Sequence, residues 1–268
     1  MKRSRWVEVA LFLLGVAGLA VGYWMISHPQ SERCTLADIS ELPSAIQGVR
    51  MHFCYDRNNF FPPEWLREPP NCEGAQVDLV EAERLPPIVE QFASTYGTSF
   101  MGRDLRDLYL VSELRCFGRS FGGTNGTAAV YIKVGAAERG FTDEFLLSML
   151  HSEFSSILMR NYSFPRDEWE NANPPGFAYS ENAVQVVEES GQYELSEELL
   201  ADGFLAQYAT TSIENDFNIL ASWLFTRQSE LCQYAERYEA IKHKANLAIQ
   251  FYNTIDPEVA IQPCPADG

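Results

Sequence analysis

The sequence predicts an α+β domain behind a single N-terminal membrane-spanning helix. Three observations carry that expectation. Val9–Ile26 is an eighteen-residue run without a charge, β-branched and aromatic runs gather between residues 49 and 134, and apolar residues at helical spacing dominate from residue 142 onward. A small sheet followed by a mainly helical half is an α+β arrangement.

At about 1.5 Å per residue the Val9–Ile26 run reaches roughly 27 Å, enough for a bilayer core. Lys2, Arg3 and Arg5 precede it and orient the N-terminus toward the cytoplasm, while Tyr23 and Trp24 suit the far interface. A cleaved signal peptide ending at Gly18-Leu19-Ala20 is the competing reading. The apolar run continues past that site, which favours an uncleaved anchor. The chain then divides into a cytoplasmic N-terminus (1–8), a transmembrane anchor (9–26), a juxtamembrane stalk (27–45) and an extracytoplasmic domain (46–268), periplasmic or extracellular.

The 268 residues carry a formal charge of −17. Lys2, Arg3 and Arg5 outweigh Glu8, so the rest of the chain is more acidic than the total. Phosphate binding needs a clustered basic face, so no nucleic-acid partner is expected. An apolar content of 46%, with 13% aromatic residues, is enough to bury a core and argues against disorder. All six cysteines (Cys34, Cys54, Cys72, Cys116, Cys232, Cys264) follow the anchor, which suggests up to three disulfides in an oxidising compartment. The sequence does not choose among their pairings. Asn125-Gly126-Thr127 and Asn161-Tyr162-Ser163 match the glycosylation sequon.

A short strand is expected at Val49–Cys54. Residues 55–86 hold seven acidic side chains and five prolines, which predicts loop. Pro86 and Pro87 suit the first turn of a helix reaching about Thr95. Leu108–Leu114 and Ala128–Val134 read as strands, joined by the glycine-rich stretch 117–126. Thr142 is an N-cap candidate with Asp143 and Glu144 in the first turn, and Phe145, Leu146, Met149, Leu150, Ile157 and Leu158 follow at mainly helical spacing. Residues 163–190 read as irregular. Helices are expected from Glu197, capped by Ser196, to about Tyr208, then over Asn215–Thr226 and Ser229–Thr254.

The run Leu150-His151-Ser152-Glu153-Phe154-Ser155-Ser156-Ile157-Leu158 carries the most chemistry. In zinc peptidases, His-Glu-x-x-His sets two imidazoles one helical turn apart, and the glutamate deprotonates the metal-bound water. Here that frame is Ser152-Glu153-Phe154-Ser155-Ser156, with serine at both histidine positions and the glutamate kept. The run resembles the helix of lethal-factor-like zinc peptidases and of the bacterial zinc-binding metallopeptidases, gluzincin-type zincins in which His-His-Glu-Phe-Ser-His is a common form. His151 stands at the first of those positions, and Glu153-Phe154-Ser155 match outright. Downstream the families have a tyrosine, a Thr or Ser three residues on, and a ligand glutamate before an aromatic residue. Aligned on Tyr208 and Phe217, that glutamate falls on Asn215; a slip of one residue would place Glu214 there. The resemblance covers roughly residues 107–226, with Gly122-Gly123-Thr124 similar to the family's lead-in.

The resemblance implies a zincin-like fold with degenerate ligand positions Ser152, Ser156 and Asn215, and with Glu153 and Tyr208 as vestigial catalytic residues. Serine hydroxyls and an asparagine amide are poor zinc ligands, so zinc is expected to be absent and no other cofactor is implied. Without a metal-bound water, whose pKa falls to about 7 from 15.7 in bulk, Glu153 has no acidified water to act on. The histidines His28, His52, His151 and His243 read as structural or surface groups, His243 sitting beside Lys242 and Lys244 on a solvated face. Glu153, Asp202, Glu214 and Asp216 offer a minor route to a hard cation. A serine hydrolase built on Ser152 or Ser156 lacks the Gly-x-Ser-x-Gly elbow.

These features predict a membrane-anchored pseudopeptidase, catalytically inactive, whose old cleft binds a peptide or protein partner. Two alternatives stand beside it. One is an active extracytoplasmic hydrolase or peptidase with an unorthodox site around Glu153 and Tyr208. The other is a structural subunit of an envelope membrane complex.

Overall fold

The computed structural model describes residues 48–53, 60–67, 70–77, 79–96, 98–180, 195–259, 261 and 263–264. All of them belong to one unit, Ser40–Gly268. The expected anchor at 9–26 and stalk at 27–45, with Cys34 and Cys54, lie outside the described residues. No helix among the described residues is long and apolar enough to cross a membrane.

Strand β3 (Asp107–Cys116) is the axis of a six-stranded mixed sheet. β1 (Arg50–His52) and β6 (Ala129–Lys133) run parallel to it, while β2 (Glu73–Gln76) and the two-residue β4 (Arg119–Ser120) pair with it antiparallel. β5 (Gly123–Asn125) lies antiparallel to β6 at the end of the order β1-β3-β6-β5. The strands expected at Leu108–Leu114 and Ala128–Val134 are β3 and β6. β2, β4 and β5 fall where loop was expected. They are short and carry glycine or charge, and the ladder of β3 and β6 supplies what their own residues lack.

A β-bulge lets β3 serve two cores. Ala75 pairs with Glu113 but Gln76 with Val111, which leaves Ser112 as the extra residue. The bulge shifts the face alternation, so Val111, Leu114 and Cys116 join one cluster with Phe60, Phe61, Cys72 and Tyr131. The Cys72–Cys116 disulfide ties that cluster's outer segment to the sheet. Tyr109 stacks on Tyr131 at 4.8 Å, and the Tyr131 hydroxyl donates to the Phe60 carbonyl. Leu108, Leu110, Val130 and Ile132 are fully buried on the opposite face, toward the helices.

Helix α1 (Leu79–Ala82) is a single turn, and α2 (Leu85–Tyr96) and α3 (Thr98–Asp104) precede β3. The longest helix is α4 (Asp143–Asn161), where the Thr142 hydroxyl accepts from the Phe145 N–H and caps the first turn as expected. It packs on α2, on β5 and β6, and most extensively on α7 (Ile213–Thr226). α5 (Arg166–Asn171) adds a turn and a half where an irregular stretch was expected.

Two helices end sooner than periodicity suggests. α6 covers only Glu197–Ala201, because Gly203 adopts φ 86° and closes the end, its N–H bonded to the Leu200 carbonyl and Phe204 N–H to that of Leu199. A Cβ at Gly203 would meet Ala240 Cβ at 2.7 Å, so glycine also permits that close approach. A short 3-10 turn, Gln207–Thr211, then carries Tyr208. The long helix expected over Ser229–Thr254 is two, α8 (Gln228–Arg237) and α9 (Glu239–Ile255), broken at an extended Tyr238. No proline or glycine marks that break. It lets α8 and α9 pack on each other, and Cys232–Cys264 links α8 to the chain beyond α9.

Lys244 differs most from expectation. It is fully buried rather than solvated, because it follows Ile241 by one turn on the stripe that continues through Ala245 and Ala248. Its Nζ donates to Asp216 Oδ2 at 2.8 Å and to the Gly203 carbonyl at 3.0 Å, and sits 3.9 Å from the centre of the Phe204 ring. Trp169 Nε1 and the Tyr179 hydroxyl also donate to Asp216 Oδ2, each at 2.8 Å. Burial pushes the carboxyl up and the ammonium down, and each partner opposes the other's shift. Lys244→Met strands Asp216 without its cation and is expected to cost roughly 3–5 kcal/mol. Denaturant unfolding measures this, with Lys244→Met/Asp216→Asn recovering part of the loss; an unchanged midpoint would contradict it.

Candidate functional site

Helix α4 and the first turn of α7 face each other across a cleft of about 270 Å³. Ser152, Glu153, Ser156, Tyr208, Glu214 and Asn215 all line it. Ser152 and Ser156 lie one helical turn apart, so both reach the same side of α4. The Ser212 hydroxyl accepts from the Asn215 N–H and starts α7, which sets Glu214 and Asn215 at the cleft rim. β5 forms the opposite wall through Gly123, Thr124 and Asn125.

Contacts inside the cleft are polar. Asn218, one turn beyond Asn215, donates from Nδ2 to the Ser156 hydroxyl at 2.6 Å. Asn215 donates to the Thr211 hydroxyl at 2.8 Å, and that hydroxyl donates to the Tyr208 carbonyl at 2.7 Å. Sequence reasoning singled out Asn215 and missed Asn218, which makes the direct bond to the α4 frame. The signal was an asparagine set between Phe217 and Ile219, a polar group on a buried stripe.

Glu153 lies partly buried against β5. A Cβ at Gly123 would come within 2.7 Å of its Oε1 and 2.8 Å of its Cγ, so glycine there lets the side chain lie this close to β5. Asn125 Nδ2 donates to Glu153 Oε2 at 2.6 Å, and Arg160 in turn donates to Asn125 Oδ1 and to the Gly126 carbonyl. Arg160 is paired with Glu214 at 3.2 Å. Glu153 has no ion-pair partner among the described residues. Burial pushes its carboxyl up to about 7; the Asn125 bond opposes this, Glu214 adds to it, and Arg160 opposes it.

The remaining candidates stand elsewhere. His151 is buried with Nδ1 2.9 Å from the Tyr96 hydroxyl and its ring stacked on Phe225, and burial lowers its pKa to about 3. His52 stacks on Tyr109 and lies 2.7 Å from Asp107. His243 is exposed, and His28 lies outside the described residues. The hard-cation grouping does not assemble, because Asp216 is taken up by Lys244 and Asp202 is exposed at the end of α6. No three His, Cys, Asp or Glu side chains gather closely enough to hold a metal among the described residues. The donors at the two serine positions and Asn215 are neutral oxygens, which do not fit zinc.

No protein-family model matches this chain, and no curated protein matches it. Among solved structures it is similar to that of "a putative zinc-binding metallo-peptidase from Bacteroides caccae", at 16% identity and a TM-score of 0.48, over 70% of this chain and 74% of that one. A likeness this distant decides neither family nor activity.

Because Glu153 titrates near 7 when folded and near 4.5 when free, stability is expected to fall as pH rises across that interval. Asn125→Ala removes a bond to the charged form and should extend the fall to higher pH. Carboxyl-detected NMR titration of both proteins measures this. A Glu153 midpoint at the ordinary carboxylate value would sink the assignment.

Proposed function

We propose that the domain is a zincin-like binding module, outside the cytoplasm and held by the N-terminal anchor, that has lost zinc chemistry and receives a peptide or protein partner in its cleft. The observation that carries this reading is the chemistry of the positions that resemble a zinc site. Ser152, Ser156 and Asn215 meet around one cleft, and each offers only a neutral oxygen. The Ser156 hydroxyl accepts from Asn218, so a protein bond already engages one of the three oxygens. The disulfides Cys72–Cys116 and Cys232–Cys264 are consistent with an oxidising compartment.

Metal analysis of the purified full-length protein tests this. Zinc well below one per chain is expected, and stoichiometric, chelator-sensitive zinc would overturn it. The companion variant Ser152→His/Ser156→His/Asn215→Glu is expected to take up about one zinc per chain, since it restores a two-histidine, one-carboxylate site. Failure of a folded triple variant to bind zinc would mean that these positions do not converge as ligands.

One observation favours the hydrolase reading. Glu153, with its carboxyl near 7, shares the cleft with Tyr208, and a base poised near the working pH suits proton transfer. That reading requires turnover of a peptide library that disappears in Glu153→Gln. We expect no turnover by the parent protein.

A further inference from the structure

The cleft has more hydrogen-bond acceptors than the described residues satisfy. Among the described residues Glu153 receives one hydrogen bond, from Asn125, and makes no ion pair. Arg160, the nearby guanidinium, is divided among Glu214, Asn125 and the Gly126 carbonyl. Asn218 is 7% exposed and spends its amide nitrogen on Ser156, while its buried Oδ1 has no partner among the described residues. A buried acceptor without a donor costs free energy, and so does a carboxylate removed from water without a counter-charge.

We infer that the cleft is a receptor for a primary ammonium group, with Glu153 as the counter-ion and the Asn218 amide oxygen and the Ser152 and Ser156 hydroxyls as neighbouring acceptors. This deepens the proposed binding function and rests on it. A primary ammonium carries three N–H donors and one charge, which matches one carboxylate set among neutral oxygens. A divalent cation needs more carboxylate than the cleft supplies, since Glu214 is already paired with Arg160. An anionic or purely apolar ligand would leave Glu153 and Asn218 unsatisfied. In a peptide partner the group is either a free amino terminus or a lysine side chain.

The full-length protein is titrated by calorimetry in mild detergent at about pH 7.5, where both kinds of amine are mostly protonated. The probes are tetra-alanine amide with a free amino terminus, the same peptide N-acetylated, and acetyl-Ala-Ala-Lys-Ala-amide. At least one amine-bearing probe is expected to bind roughly tenfold or more tightly than the acetylated alanine peptide, as a charge-assisted bond implies. The first and third probes distinguish an amino terminus from lysine. Glu153→Gln is expected to abolish the preference, and Asn218→Asp, which adds a second carboxylate, to strengthen it.

Equal binding of blocked and free peptides, no binding of any of the three, or an unaltered preference in Asn218→Asp would overturn the inference. So would displacement by sodium, potassium or calcium chloride with no amine preference. Any of these in zinc-free protein leaves the zinc-free cleft standing, whereas stoichiometric zinc in the parent removes that reading as well.

Discussion

The buried pair of Lys244 and Asp216 fixes the part of the molecule on which the cleft depends. Asp216 sits in the first turn of α7, beside Glu214 and Asn215. Its Oδ2 gathers donors from α9, from Trp169 in α5 and from Tyr179, while Lys244 also holds the Gly203 carbonyl at the end of α6. Four segments distant in sequence therefore meet at one carboxylate. A buried ion pair contributes little net stability compared with apolar packing, but breaking it is costly. Its effect here is positional: it ties the first turn of α7 to α5, α9 and the end of α6, and that turn, with Glu214 and Asn215, forms one wall of the cleft.

α4 answers with two kinds of surface on one helix. Leu146, Leu150, Phe154, Ile157 and Leu158 are buried apolar groups that pack on the sheet and neighbouring helices. His151, Ser152, Ser155 and Ser156 are buried too, so the helix carries a polar stripe that must be satisfied locally. Tyr96 meets His151, Tyr252 meets Ser155, Ser155 reaches back to the His151 carbonyl, and Asn218 meets Ser156. The stripe is thus knitted into α2, α7 and α9. It holds α4 in one rotational setting, with Ser152 and Glu153 turned to the cleft.

Much of this was legible in the sequence where local chemistry and tertiary structure agree. The Thr142 cap, the strands β3 and β6 and the one-turn spacing of Ser152 and Ser156 all follow from short-range rules. The end of α6 was not read, since the helix was expected to run to about Tyr208, although Gly203 stands where a left-handed closing residue belongs. The break at Tyr238 leaves no such mark, because it arises from the packing of α8 on α9. β2 and β5 exist through the ladder offered by β3 and β6. Lys244 and Asn218 shared a cause: each lies on the apolar stripe of its helix, and a polar residue there is ambiguous until its partner on another segment is known. Pairings between Lys244 and Asp216, or Asn218 and Ser156, cross from 28 to 62 residues, and no local pattern encodes them.

The carboxylate at position 153 is a constraint of a different kind. Within a helix that buries three serines, the group best suited to stability would be neutral, since burial raises the Glu153 carboxyl to about 7 and its charged form is penalised above the ordinary carboxylate range. The Asn125 bond and Arg160 remove only part of that penalty. Arg160 lies nearby but is committed to Glu214, and Gly123 lacks even a Cβ, which lets Glu153 press against β5 instead of turning to solvent. A fold that tolerates an under-paired charge and, in the same cleft, an amide oxygen without a partner among the described residues holds local free energy in reserve, and such reserves belong where a ligand completes the set. The serines and the glutamate are then parts of one arrangement: Ser152 and Ser156 offer neutral oxygens, and Glu153 supplies a single negative charge for a monovalent guest.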